Sequence, residues 1–237
     1  DFTQIPDIMK EAMISIEDKR FYEHHGVDWK RTLGAVYGMA TGNDTAGGST
    51  ITQQLVRNTL LSSEANDISF RRKVREAELA IEMEQAYSKD DILLMYLNTI
   101  NYGSGAYGIE AAAERYFSKD AKDLTLNEAA TLVGIPQSPT YNNPIDYPDN
   151  CLKRRNTVLD RMVSNGVITA EEADAVKAEP IELNPSEPSM TGILAYPYFT
   201  SYVRNQLTNP EGKYAYSTSE LFKGGLKGIT TLDIEAQ

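Results

Sequence analysis

Cysteine is almost missing. Cys151 is the only one in 237 residues, so no disulfide can close within the chain and no disulfide scaffold is built. Histidine is nearly as scarce: His24 and His25 are adjacent, and without further Cys or His at ligand spacing they do not make a zinc site by themselves. Positive charge is in deficit, with 23 Lys and Arg against 34 Asp and Glu and a formal net charge of −11. Such a chain is a poor partner for nucleic acid, whose phosphates need basic surface. No uncharged run suits a bilayer: the stretch from Ile92 to Ile109 carries Asn98, Thr99, Asn101, Ser104 and three glycines. It reads as a helix running into a Gly-rich loop. No run of alternating apolar residues competes for strand before residue 180.

What is present is helical. The 41% of hydrophobic residues suffices for a core at this length. Pro6 suits a helix start, and Ile8, Ala12 and Ile16 follow at spacing four. Phe70, Val74, Ala77 and Ile81 predict an amphipathic helix with that stripe buried. Capping-box patterns recur at Ser88–Asp91, Thr125–Glu128 and Thr169–Glu172, each just ahead of a helical run. Residues 109–117 and 151–163 also read as helices. After Glu179, Pro180, Pro185 and Pro188 mark a linker; residues 198–203 read as a short helix and 224–232 as a strand. The chain begins at Asp1 and ends at Gln237 without preamble, which reads as a piece of a longer protein with any membrane anchor outside it.

Three blocks carry chemistry. The first, Glu17 to Gly26, reads Glu-Asp-Lys-Arg-Phe-Tyr-Glu-His-His-Gly. Glu17 ends a largely apolar helical turn, a setting that suits a general base, although a solvated last-turn Glu has the same pattern. His24 reads as a hydrogen-bonded structural residue. The second block, Gly47 to Gln54, places two glycines before a helix with Thr50–Gln53 at capping-box spacing. Thr50, Gln53, Gln54 and Arg57 share one polar face, open to an anion at the helix start or simply an ordinary capped surface helix. The third block, Arg72-Lys73-Val74-Arg75-Glu76, is a basic knot in an acidic chain. Arg72 and Glu76 at i, i+4 make either an intrahelical ion pair or one wall of a pyrophosphate site, for which Arg offers a planar fork and Lys a point charge. Together the blocks hold the groups needed to move a sugar off a phosphate leaving group.

In this order the blocks resemble the peptidoglycan glycosyltransferase family (glycosyltransferase family 51) of class A penicillin-binding proteins. Glu17-Asp-x-x-Phe21-x-x-His24-x-Gly26 resembles its first motif, Gly48-x-Thr50-x-Thr52-Gln53-Gln54 the second and Arg72-Lys73-x-x-Glu76 the third. Lys89-Asp-Asp-Ile92-Leu-Leu-Met-Tyr96-Leu97-Asn98 is similar to the fourth, and Arg154-Arg155-x-x-Val158-Leu159-x-x-Met162 to the fifth. Arg57 stands where the family usually has Lys, and Leu94 where it commonly has an acid. The resemblance covers residues 1–178. Residues 179–237 resemble a linker and the start of a transpeptidase region, and no Ser-x-x-Lys is present to make that region reactive.

The resemblance implies a mainly α, lysozyme-like glycosyltransferase domain with a membrane-facing jaw, followed by a short linker with some β. It implies inverting polymerisation of lipid II with release of undecaprenyl pyrophosphate. Glu17 and Glu76 are then the catalytic candidates. Asp18, Phe21, His24, Ser49, Thr50, Gln53, Gln54, Arg57, Arg72, Lys73 and Asn98 are the candidate substrate contacts. Glu76 is also the candidate ligand for a divalent cation, Mg2+ or Mn2+, and no organic cofactor is implied. Implied partners are lipid II, the growing glycan strand, the membrane surface and other cell-wall synthesis proteins; moenomycin is an implied inhibitor. The implied location is the extracytoplasmic face of a bacterial membrane, held by an N-terminal anchor. Residues 27–46 and 59–68 are candidate membrane-dipping segments. A lysozyme-like hydrolase or lytic transglycosylase is the alternative enzyme, but its sugar leaving group needs no basic cluster. A non-catalytic module binding lipid II or cell wall is the alternative from another class, and it needs no Glu17.

Overall fold

A computed structural model describes residues 5–41, 47–64, 69–186, 197–209 and 212–216. Among these the chain is mainly α, as expected, with no strand and only two isolated bridges, His25 with Val27 and Asn101 with Tyr107. This is consistent with the lysozyme-like architecture. The helices are α1 (Asp7–Glu17), α2 (Trp29–Thr41), α3 (Ile51–Asn58), α4 (Phe70–Ala86), α5 (Lys89–Thr99), α6 (Ile109–Phe117), α7 (Leu126–Gly134), α8 (Pro148–Ser164), α9 (Ala170–Ala178) and α10 (Pro197–Thr208). Two compact units divide the chain at residue 186, and α10 belongs to the second.

The capping signals are realised. Ser88, Thr125 and Thr169 close reciprocal boxes with Asp91, Glu128 and Glu172, and Thr50 does so with Gln53. Each box satisfies two backbone donors that a helix start otherwise leaves open. α7 is the centre of the first unit. It packs on α1 and α8, while α3 packs on α4 and α5. Met9, Ala12 and Met13 of α1 meet Ala129, Ala130, Leu132 and Val133 of α7 and Val158, Leu159 and Met162 of α8 in one core. Each fully buried Leu, Val or Met there contributes roughly 1.5–3 kcal/mol. This core fixes the C-terminal end of α1, where Glu17 stands.

One predicted face is reversed. Phe70 and Val74 are exposed, 84% and 50%, whereas the buried residues of α4 are Glu76 and Ala80. α3 packs on the line of α4 that carries the charges, because those charges are paired inside the structure rather than solvated. Hydrophobic periodicity does not register a charge buried through pairing.

The first unit also runs past the expected boundary at 178. Asn184 N–H donates to Tyr116 O at 3.0 Å, and Ser118 Oγ donates to Asn184 O at 2.8 Å. Ser186 Oγ donates to Glu114 O at 3.0 Å, so residues 184–186 are laid against α6, while Asn127 of α7 donates to Glu179 Oε2 and Pro180 O. The expected strand at 224–232 and the start of a transpeptidase region lie outside the described residues. Among the described residues no helix is long and apolar enough to cross a membrane.

Candidate active site

α1 ends at Glu17, and the backbone of Asp18 leaves helical geometry. The chain then turns through His24 and His25 to Gly26, whose φ is +86°. A Cβ on Gly26 would lie 2.6 Å from the carbonyl oxygen of Ala80, so this turn sits directly on α4 and only glycine fits. The turn brings the first block against α3 and α4.

Glu17 is half-buried, and Gln54 Nε2 donates to its Oε2 at 2.8 Å. Tyr96 Oη donates to Gln54 Oε1 at 3.0 Å. Burial, helped by the charge of Glu17, pushes the Tyr96 phenol well above its ordinary range, so Tyr96 remains a donor. Arg57 lowers the same group, which places its charge in the same neighbourhood. Burial pushes the Arg154 guanidinium down and the charge of Glu17 opposes it. Arg154 Nε is buried without a hydrogen-bond partner among the described residues. Glu17 is therefore positioned by an amide, with the Arg154 guanidinium in its field.

Asp18 faces the other way. It is buried, its Oδ2 lies 2.8 Å from His24 Nε2, and it accepts the N–H of Ile51 at 3.0 Å. A carboxylate thus already occupies the start of α3, where the helix dipole favours an anion. Thr50 Oγ1 donates to Gly26 O at 2.6 Å, and Gln53 is spent on the capping box. His24 continues inward: its Nδ1 lies 3.4 Å from Lys89 Nζ, which pairs with Glu84 Oε2 at 2.8 Å. Thr52 Oγ1 donates to Glu84 Oε1 at 2.5 Å. Lys89 also stands 4.5 Å above the ring of Phe21, which is fully buried. Asp18, Phe21, His24, Thr50 and Gln53 therefore build the frame behind Glu17 rather than a surface in front of it.

The basic cluster is organised by Glu76, which is fully buried. Arg72 Nη1 donates to its Oε2 at 2.7 Å, and Lys73 Nζ donates to its Oε1. Lys73 reaches across to Ser49 Oγ at 2.8 Å, joining α4 to the approach to α3. Two cations on one carboxylate leave a net positive charge, with the Lys73 side chain 41% exposed. Arg57 is half-buried in the last turn of α3 with no hydrogen-bond partner among the described residues. A divalent cation on Glu76 does not fit this donor set: both oxygens already carry cationic donors. Among the described residues no group of three His, Cys, Asp or Glu side chains is placed to hold a metal ion. Asn98 is not brought into the cluster; it is exposed and donates to Leu94 O of its own helix at 2.9 Å. Cys151 is no nucleophile, since burial pushes its thiol up to about 12.

The family model described as transglycosylase fits residues 1–163. The chain belongs to the transglycosylase family. It is 43% identical over 235 residues to penicillin-binding protein 1F of Bacillus subtilis, covering 99% of this chain and 32% of that protein. Penicillin-binding protein 1A/1B of the same organism is 44% identical over 241 residues, covering 99% and 25%. Penicillin-binding protein 1A of Escherichia coli is 44% identical over 214 residues, covering 90% and 25%. The chain thus spans about a quarter to a third of the length of these relatives. Membership makes it a glycosyl-transferring enzyme domain of cell-wall synthesis.

Tyr96, Arg154, Glu84 and Lys89 are site residues that sequence reasoning gave no role. Three of the four lay in or beside quoted motifs. Glu84 had one signal, its place on the line 76–80–84 of α4.

Proposed function

We propose that this domain polymerises lipid II into glycan strands by inverting transfer. The observation that carries the reading is the pairing of Glu17, held by Gln54, with the Arg72–Lys73 cluster hung on Glu76. The start of α3 links them: Ser49, two residues ahead of the helix, holds Lys73, and Gln54 within the helix holds Glu17. Glu17 takes the proton of the acceptor sugar's 4-hydroxyl. That oxygen attacks C1 of the donor sugar from the face opposite the leaving group, and the bond from C1 to the pyrophosphate oxygen breaks. The departing electron pair settles on undecaprenyl pyrophosphate, whose charge is offset by Lys73, Arg72 and Arg57. Glu76 positions two of these cations without touching the reacting atoms.

The active domain would work at the extracytoplasmic membrane surface, anchored by a segment preceding it in the full protein. Exposed Trp29 and Leu33 of α2, with Leu60 and Phe70, suit a surface laid on lipid. Incubation with labelled lipid II tests the reading. Polymer supports it, whereas release of sugars from preformed wall favours a hydrolase and binding without turnover favours a module.

A further inference from the structure

A second concavity lies outside the Glu17 cluster. The loop after α5 and the segment between α7 and α8 enclose a cavity of about 260 Å³. The walls are in direct contact at their base, since a Cβ on Gly103 would lie 2.6 Å from the carbonyl oxygen of Pro139. Asn101, Ser104, Tyr107, Thr140, Asn143 and Asp146 supply its polar side chains, and Pro139 an apolar one.

The loop is held in an unusual shape. Gly103, Ser104 and Gly105 all have positive φ, of 78°, 49° and 77°. For Ser104 this left-handed conformation is strained, and such strain persists where surrounding structure enforces it. Asn143 Nδ2 enforces it by donating to Ser104 Oγ at 2.8 Å. The Asn101 side-chain oxygen accepts the Gly103 N–H at 2.8 Å, which leaves the Asn101 amide protons without a partner among the described residues.

The lining selects its ligand class. It contains no Lys, Arg or His, so an anion finds no counter-charge. Asp146 is the sole carboxylate of the lining, too few for a divalent cation. Amide, hydroxyl and phenol groups share the lining with the Pro139 ring and the Gly103 and Gly105 backbone, a mix that suits a ligand with polar edges and apolar faces. Tyr107, 62% exposed, offers a flat ring face at the rim. The volume falls below the roughly 300–1,000 Å³ of drug-sized sites, leaving room for one ring and its substituents. A neutral ring rich in hydroxyl and amide groups is a sugar.

Both walls run on from elements that meet Glu17. α5, which carries Tyr96, ends at Thr99, two residues before Asn101. On the other side Asn142 Nδ2 donates to Gly134 O at 3.0 Å, and Gly134 packs against Arg154, which lies in the field of Glu17. We infer that this cavity is a saccharide subsite that holds an N-acetylhexosamine unit of the glycan strand beyond the reacting sugars. Its assignment to the strand rests on the polymerase reading; its affinity for sugar does not.

The test therefore has two arms on the full chain. Calorimetry with the neutral N-acetylglucosamine tetramer is run on wild type, Tyr107→Ala and Asp146→Ala, both side chains being exposed enough for the fold to tolerate the change. Each variant is expected to bind about tenfold more weakly, the cost of one good polar or ring contact. Absence of tetramer binding in wild type, or wild-type affinity in both variants, overturns the subsite. In the second arm both variants are expected to make shorter strands from lipid II than wild type does. Strands of wild-type length from both overturn the assignment to the strand, while failure of wild type to polymerise at all counts against the function and leaves the tetramer arm to judge the subsite.

Discussion

Gln54 Nε2 and Glu17 Oε2 stand 2.8 Å apart, and Tyr96 holds the far end of the same amide at 3.0 Å. One oxygen of Glu17 is thereby fixed by a neutral donor. Glu17→Gln keeps the size and removes the base. A general base contributes roughly 10²- to 10⁴-fold, so polymerisation should fall by that factor while affinity for moenomycin changes little. Near-normal turnover would remove Glu17 from the mechanism.

Gln54→Ala should act differently. It keeps the base and loses its orientation, and it leaves the buried Tyr96 hydroxyl unpaired, at about 1–3 kcal/mol of stability. Turnover should fall less than in Glu17→Gln, and melting temperature should fall more. Equal losses of turnover with no thermal shift would show that Gln54 has no positioning role.

The basic cluster gives a third pattern. Arg72→Ala and Lys73→Ala should weaken binding of pyrophosphate-bearing substrate and leave the fold intact, since each removes one of two cations on Glu76. Glu76→Gln should be worse for stability, because it leaves two cations around a fully buried neutral group. Removing one member of a buried pair costs about 3–5 kcal/mol. Substrate-analogue affinity and chemical denaturation on the three variants check this; a Glu76→Gln protein as stable as wild type would contradict it.

How far this was legible in the sequence depended on the reach of each interaction. The capping boxes at Thr50, Ser88, Thr125 and Thr169 are local, and each helix starts where they place it. The buried face of α4 was misread because Phe70 and Val74 set the apolar period while α3 packs on Glu76 and Ala80. His24 reads from the sequence as a hydrogen-bonded structural residue, and its contact with Asp18, six residues away, fits that; the onward contacts of the pair to Ile51 and Lys89 span 33 and 65 residues and leave no local pattern. Tyr96 reaches Gln54 across 42 residues, and no local pattern marks that contact.

Acid should reveal the brace behind the site. Arg20 Nε and Nη2 grip Asp28 at 2.9 and 2.6 Å, and the Arg31 N–H donates to the same carboxylate at 3.0 Å. Burial pushes the Asp28 carboxyl up, but the Arg31 N–H and the Arg20 guanidinium outweigh it and hold the group below its ordinary 3.8. A lowered folded value stabilises the protein above 3.8, and that stabilisation fades as pH falls through the folded value. The stability gap between wild type and Asp28→Asn, about 1.5–3 kcal/mol for charge-assisted bonds, should hold from pH 8 to about 5 and shrink toward pH 3. Urea unfolding across that range measures it, and a gap unchanged at pH 3 would refute the account.

The end of the first unit makes the last prediction. Arg155 is fully buried, and its Nη1 donates to Asn127 Oδ1 and to the carbonyl of Glu179, each at 2.9 Å. Its Nη2 donates to the carbonyl of Lys177 at 3.3 Å. A chain cut after Ala178 loses the Glu179 carbonyl and the 184–186 contacts on α6, leaving Nη1 of a buried guanidinium with one of its two acceptors. A lost hydrogen bond to a charged group costs about 1.5–3 kcal/mol, and at this size each kcal/mol moves the melting temperature by about 2–4 °C. A chain ending at 178 should therefore melt roughly 3–12 °C below one ending at 186. The chain ending at 186 should melt with the first unit of the full chain, because that unit closes there. Arg155→Leu separates the two causes: in that background the cut at 178 should cost less, since no buried charge is left to strand. If both cuts melt alike in the wild-type background, residues 179–186 contribute nothing and the boundary returns to 178.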